Sequence, residues 1–508
     1  MVWPQWLHAT GAPIASGRSG ITVVHWGQGS VTSARVHARP GIGRGTEGHR
    51  GPSAVWHTAH RVRSAGATDP HSGHTRRSPC TTGPPGTAGD TMMARTLTPA
   101  AAPRERNARK GRADRPPPAL SSAADMPPIA GEGLADARQG SSLAAIVRAA
   151  ARQALASVRD PSVVFVFTAG GNPERATPDA TLIAARVAQG LCPGAIVVAA
   201  DAPGVLSMGA EREGQSAAAA LCFDRSAARA TLTALPLDLP RESHCDAIAA
   251  AAARVAEGDR RNVGVLALLA TASHTPEALT GIANHQGAPI VGAGAALVAG
   301  AAPGVAPTSC AAAVVTLSGS LRMTVAASPA VRALTPWMRV TGQDGPFLLT
   351  LDDKPALDAV GDVVREGGRR DPLLVLLRGV GDEAALVRTI AGADPARGAV
   401  AIADVLPPGA EVAFGVRDAA AARGDLAQRL AAVARASAGA TPAAALMFTC
   451  AGRGKGLFGV GDVDAKALRA KFNAPAAGMQ SAFELAPWGG ATRAHLYTAV
   501  SAIFHRPS

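Results

Sequence analysis

The chain has 508 residues, long enough for two or three domains of ordinary size. Its formal charge of +12 is unevenly spread: residues 1–140 hold 17 Lys+Arg against 8 Asp+Glu, and the remainder holds 33 against 30. The remainder is therefore near neutral, and with aromatics at 3% of the chain it lacks the basic face and stacking platforms that nucleic-acid binding needs. The six cysteines (Cys80, Cys192, Cys222, Cys245, Cys310, Cys450) form no Cys-x-x-Cys pair, which argues against a zinc site or a dense disulfide framework and for reduced thiols in a cytoplasmic protein.

Residues 1–140 are rich in Gly, Pro, Ser, Thr and Arg and hold 8 of the 13 histidines and 4 of the 6 tryptophans. Apart from the run from Ile21 to Val24, no apolar periodicity persists. Such a segment buries too little apolar surface to offset the entropy of ordering and is expected to be disordered. It reads as a native tail, as a targeting peptide, or as over-called coding sequence upstream of Met92, Met93 or Met126; the last fits best. Against targeting, the amphipathic Arg-spaced helix is missing, and Met1 to Thr10 lacks a signal-peptide pattern. The histidines of 57–74 have nothing to hold them in one metal geometry.

Regular punctuation begins at Ser142. The apolar spacing of 142–158 predicts a helix capped by Ser142. A strand over 162–168, a helix over 177–189 and strands over 194–200 and 216–223 follow. The same order recurs as a strand over 263–269, a helix from Thr275 and strands over 288–291 and 310–317. It recurs again as a strand over 444–449, a helix over 464–472 and strands over 476–482 and 496–504. Between them, a strand over 371–378, a helix from Asp382 and two strands around Pro407-Pro-Gly409 are expected. Residues 286–321 carry no charge, but the prolines and glycines that interrupt them predict buried strands rather than a membrane span. Turn chemistry at 336–346 suggests a boundary. The expected fold is mixed α/β: two lobes of mixed sheet covered by helices, with domains at 141–340 and 346–508 after the leading segment 1–140.

One Gly-rich bend stands out. Cys450-Ala-Gly-Arg453-Gly454-Lys455 follows a strand directly, and its backbone N–H groups, Arg and Lys suit a carboxylate or phosphate. It is not a P-loop, because the spacing is wrong and no Ser or Thr follows the Lys. A purely structural turn is the competing reading. Cys450 beside two cations is either a reactive thiol or a small core residue. Glu211 and Glu484 each follow a Gly-bearing strand and turn, where a carboxylate suits an amino group. If the strands before Arg453 and Glu484 are parallel neighbours, both residues reach one sheet edge, the usual ligand position in open α/β sheets. His274, before Thr275-Pro276, fits a helix-cap neighbour better than a base. No nucleophile elbow, metalloprotease motif or full dinucleotide fingerprint is present, so neither a cofactor nor a metal is expected.

Four segments carry a resemblance. They are Ala202-Pro-Gly-Val-Leu-Ser-Met-Gly-Ala-Glu211-Arg-Glu213, Leu348-Leu-Thr-Leu-Asp-Asp-Lys-Pro-Ala-Leu357, Met447-Phe-Thr-Cys450-Ala-Gly-Arg453-Gly-Lys-Gly-Leu-Phe458, and Gly478-Met-Gln-Ser-Ala-Phe-Glu484-Leu-Ala-Pro487. In order and spacing the set resembles the FIST family (F-box and intracellular signal transduction), with its N-terminal and C-terminal domains. Departures occur at Phe483, where the family has Gly, and in 330–336, where a Gly-Cys-Arg-Pro is usual. The resemblance implies a sensory module that binds a small molecule, an amino acid or small organic acid, and signals through a separate protein. From charge, aromatic content and the broken apolar stretch, no nucleic-acid or membrane partner is expected. The expected ligand-binding residues are Cys450, Arg453, Gly454, Lys455, Glu484 and Glu211. A protein-binding scaffold, and an enzyme using Cys450 or Glu484, remain the alternatives.

Overall fold

The computed structural model describes residues 23–27, 30–34, 128–137, 142–170, 179–253, 261–279, 281–283, 288–367, 372–379, 383–402, 404–407 and 409–507. The expectations for 1–127 lie outside these, apart from an antiparallel ribbon, Val23–Gly27 against Ser30–Ala34.

From residue 130 onward one plan is repeated three times. In the first unit, edge strand Ala130–Asp136 and helix Leu143–Leu155 lead into strand Pro161–Gly170. Helix Asp179–Leu191 then returns the chain to Ile196–Ala202, parallel to it; hairpin Gly204–Ser207/Ala210–Glu213 and antiparallel strand Ser216–Asp224 follow. The second unit runs Ala228–Leu235, helix His244–Ala253, Asn262–Ala270, Ile290–Ala295, hairpin Leu297–Ala301/Thr308–Ser309 and Ala312–Gly319. The third runs Arg322–Pro329, helix Ala419–Ala436, Thr441–Cys450, helices Gly454–Phe458 and Val463–Phe472, Ala476–Ser481, hairpin Glu484–Trp488/Ala491–His495 and Thr498–Arg506. The three sheets share one strand order.

The units exchange their hairpins. That of the first pairs with Ala476–Ser481 of the third, that of the second with Ile196–Ala202 of the first, and that of the third with Ile290–Ala295 of the second. Each sheet is thus completed by a neighbour, and strands from before and after residue 340 share two of the sheets. Both faces of the central strands are covered, which explains why they read as unbroken apolar runs rather than alternating ones. One core takes Phe165, Phe167, Leu266, Leu268, Leu446, Phe448 and Phe504 from all three sheets. Phe167 meets Phe448 edge-on at 6.0 Å, and Phe223 meets Phe504 at 4.9 Å.

Between Pro329 and Ala419 an eight-stranded sheet is inserted, with helix Ala356–Gly367 and its own core around Leu348, Val375 and Phe414. Within 336–346, where turn chemistry suggested a boundary, Met338–Asp344 is a strand of this sheet, and Gly345-Pro346 turns it into its neighbour Phe347–Leu351.

Three expectations need correction. The folded chain starts before residue 140: Ala130–Asp136 is a full edge strand. Its glycines made it read as loop, but a Cβ on Gly131 would lie 1.9 Å from the Ala154 carbonyl oxygen and one on Gly133 2.0 Å from that of Ala150. Glycine there lets the first helix lie directly on the strand. The helix from Thr275 is a single 3-10 turn, Pro276–Ala278; Leu279 leaves helical geometry, and Ile282–Ala283 pairs with Ala491 and Thr492. The expected helix from Asp382 is also absent among the described residues: Leu386–Asp394 is a strand, in keeping with β-branched Val387, Thr389 and Ile390. The uncharged stretch forms the buried strands Ile290–Ala295, Leu297–Ala301 and Ala312–Gly319 with an exposed turn at 303–306, and no helix among the described residues is long and apolar enough to cross a membrane.

Candidate functional site

Thr441–Cys450 and Ala476–Ser481 are parallel neighbours with Cys450 beside Ser481. Arg453 and Glu484 therefore leave the same end of the sheet, and both are fully buried. They are not each other's partners. Arg453 donates from Nε to Asp464 Oδ2 at 2.7 Å, from Nη2 to Asp464 Oδ1 at 2.9 Å and from Nη1 to the Ser328 carbonyl at 3.1 Å. Breaking such a buried two-pronged pair leaves an uncompensated charge, typically at a cost of about 3–5 kcal/mol. Arg453 thus ties the bend to helix Val463–Phe472 and to strand Arg322–Pro329.

The carboxylate that the bend receives is the protein's own. Glu213 accepts from the Lys455 N–H at 3.1 and 3.2 Å. Gly454, at φ 35, has no room for a Cβ, which would meet Glu213 Oε1 at 2.5 Å. The Lys455 side chain is exposed. Glu211 accepts from the N–H groups of Asp462, Asp464 and Ala465 at 3.0–3.2 Å, capping helix Val463–Phe472 from a hairpin about 250 residues upstream in the sequence. Burial, aided by Asp464 and Glu213, raises its pKa to about 7 against those donors. The two carboxylates of the Glu-x-Glu stretch are thus helix caps locking an exchanged hairpin in place.

Burial, with Glu484 nearby, pushes the Cys450 thiol up to about 12, opposite to an activated nucleophile. Glu484 is 0% exposed, and burial holds its carboxyl well above the usual carboxylate range. The Ser481 hydroxyl donates to its Oε1 at 2.7 Å, whereas Oε2 has no hydrogen-bond partner. Directly across the hairpin stands His495, buried, with neither ring nitrogen partnered. Burial, with Arg388 and Arg493 behind it, lowers its pKa to about 3. Both guanidiniums reach Asp404, Arg388 at 2.9 Å and Arg493 at 3.5 Å. Ser481, Thr498 and His495 were not singled out in the sequence, where isolated polar residues in apolar strands carry no motif.

The repeat supplies an internal comparison. Where the third unit has Cys450 beside Ser481, the first has Ala169 beside Ala202 and the second Ala270 beside Ala295. Facing them on the returning strand, Ala217 and Ala311 correspond to Thr498. On the exchanged hairpins, Glu484 pairs opposite Ala293 where Val205 pairs opposite Met479 and Val298 opposite Ala200. At these four positions two units carry only alanine and valine, and the third carries a thiol, two hydroxyls and a carboxyl; the first unit's buried Asp201, one residue back, is partnered by Thr168 at 2.8 Å. By contrast, the cavity of about 320 Å³ lined by Leu155, Arg159, Leu191 and Pro193 lies at the opposite end of the first unit's strands.

The described chain thus consists of three α/β units that exchange their hairpins, one of them with a polar strand end, and an inserted sheet. The comparisons agree on the family: the FIST N domain matches residues 162–354 and the FIST C domain residues 356–487, so the chain belongs to the FIST family, whose domains are associated with sensory roles in signal transduction. Uncharacterized proteins of Mycobacterium tuberculosis (strain ATCC 25618 / H37Rv) and Mycobacterium bovis are 39% and 36% identical over 181 residues. Those matches cover 32% of this chain and 46% of each relative, so the chain spans about half the length of the curated relatives it matches.

Proposed function

We propose that this protein is a cytoplasmic sensory module that binds a small molecule at the polar strand end of its third unit and signals through a separate protein. The observation that carries this reading is the difference among the three units: at the four equivalent positions two units have only alanine and valine, and the third buries Glu484 with an unpartnered oxygen beside Cys450, Ser481 and Thr498, whereas the buried Asp201 of the first unit is partnered by Thr168. An unsatisfied buried polar atom costs about 1–3 kcal/mol, a burden that makes sense where a ligand satisfies it. Recognition of a zwitterion between Arg453 and Glu484 is not part of the reading, because Arg453 is committed to Asp464. An enzyme acting through Cys450 lacks support, since its thiol is held protonated.

A thermal-shift screen of the full chain against amino acids, amines and small organic acids tests it. At least one class should raise the melting temperature in the concentration-dependent way mass action requires. Unchanged melting with every class at millimolar concentrations would overturn the sensor reading.

A further inference from the structure

We propose that the Cys450–Ser481–Glu484–Thr498 centre binds a small primary amine that carries no acid group, its ammonium pairing with the open oxygen of Glu484. This rests on the sensor reading and names the ligand class within it.

The polarity of the groups decides the class. Glu484 Oε1 receives the Ser481 hydroxyl at 2.7 Å, so the fixed side-chain partner is a donor placed for a carboxylate. Oε2 is left without one. A ligand that supplies a donor with positive charge completes the set and offsets the burial that otherwise keeps the proton on. The nearby cations are committed elsewhere. Arg453 is held by Asp464 and the Ser328 carbonyl, and Arg388 and Arg493 both reach Asp404. Arg417, whose Nη1 donates to the Gly452 carbonyl at 3.2 Å, is the guanidinium left for a ligand carboxylate, and that single, partly engaged cation at the rim favours a plain amine over an amino acid.

The centre lies close to the surface at Gly452, which is partly exposed. A Cβ there would sit 3.7 Å from Cys450 Sγ, 3.6 Å from the Tyr497 ring and 3.5 Å from Arg417 Nη1, whose guanidinium donates to the Gly452 carbonyl at 3.2 Å. Tyr497 adopts φ 54, a left-handed backbone that a bulky residue takes only when its surroundings impose it.

Proton linkage gives the test its sign. The groups facing Glu484 are His495 across the hairpin, Cys450 and Arg453 from the neighbouring strand and bend, and Tyr497 and Thr498 from the returning strand. His495 stays neutral above about pH 3, the Cys450 thiol stays protonated to about 12, burial raises the Tyr497 phenol, and Arg453 stays paired with Asp464. Amine binding therefore expels the Glu484 proton. Titration calorimetry of the full chain with butylamine, butyrate and butanol should show butylamine alone binding, roughly tenfold tighter per pH unit on the acid side of the Glu484 titration. Glu484→Gln should weaken butylamine at least tenfold. Glu484→Val provides a second variant, because the sister units already hold Val205 and Val298 at this position; it should fold and abolish binding. Binding of butyrate or butanol without butylamine, affinity that falls as pH rises, or undiminished butylamine binding in both variants would overturn the amine assignment. The first two of these results would leave the sensor reading standing. Failure of the whole ligand screen would remove both.

Discussion

Glu484 and His495 face one another from adjacent strands, both buried and both driven toward their neutral forms, so their effects on stability run in opposite directions with pH. For Glu484 the folded pKa is raised, so its contribution is present below the unfolded carboxylate value and is lost as pH rises through the folded one. For His495 the folded pKa is lowered from 6.5 to about 3, so its contribution is present above 6.5 and is lost as pH falls toward 3. One proton taken up on unfolding is worth about 1.4 kcal/mol per pH unit. Chemical denaturation at a series of pH values, compared between the parent and His495→Gln, should therefore show the variant lacking a contribution that falls by about 1 kcal/mol per unit from about pH 6.5 to 4. An unchanged slope would mean that His495 is charged or solvated in the native protein. Neither residue's behaviour was legible in the sequence, because which polar residue of a strand faces the interior depends on pairing between segments far apart in the chain.

At the scale of elements, local pattern fixed the long apolar strands and the well-capped helices. Ser142 caps the first helix through its side chain, as its position suggested. The misread elements share a cause: pairing with other strands overrode local preference. Leu386–Asp394 has apolar spacing that fits either period, and pairing with Leu374–Leu377 and Ala399–Ile402 settles it. Ala130–Asp136 is informative because it lies where composition suggested no structure. Its Glu132 accepts from the N–H groups of Met208 and Ala476 and pairs with Arg469, linking the first unit to the third. Removal of this strand takes an entire edge from a six-stranded sheet and exposes Cys222 and Phe223 beneath it. A chain beginning at residue 128 should melt cooperatively near the full-length temperature. One beginning at 142 should melt at least about 10 °C lower or precipitate, since a loss of roughly 3 kcal/mol moves a domain of this size by that order. Equal melting of the two would show that the strand is dispensable.

At the scale of the molecule, a threefold repeat that exchanges its hairpins makes every unit depend on another, and the family's most recognisable motifs serve that dependence. Glu211, Glu213 and Arg453 stitch the first unit's hairpin and the third unit's helices together; Glu211 and Arg453 read in the sequence as ligand-binding residues and stand in the structure as part of a latch. The polar strand end was only half legible: Cys450 and Glu484 lie in motifs, whereas its meaning emerges from the eight apolar residues at the equivalent positions of the other units. That comparison suggests a direct experiment. Converting Cys450, Ser481, Glu484 and Thr498 to Ala, Ala, Val and Ala gives the third unit the residues its sisters use. If the polar set is maintained for ligand, the variant should gain stability, because burying a carboxyl with an open oxygen costs about 1–3 kcal/mol and binding sites are commonly held at the expense of stability. Differential scanning calorimetry should place its transition several degrees above that of the unmodified chain, with every ligand-induced shift gone. A lower transition with ligand response lost would instead assign the four residues to the core, holding the third unit together through contacts the other two do not need.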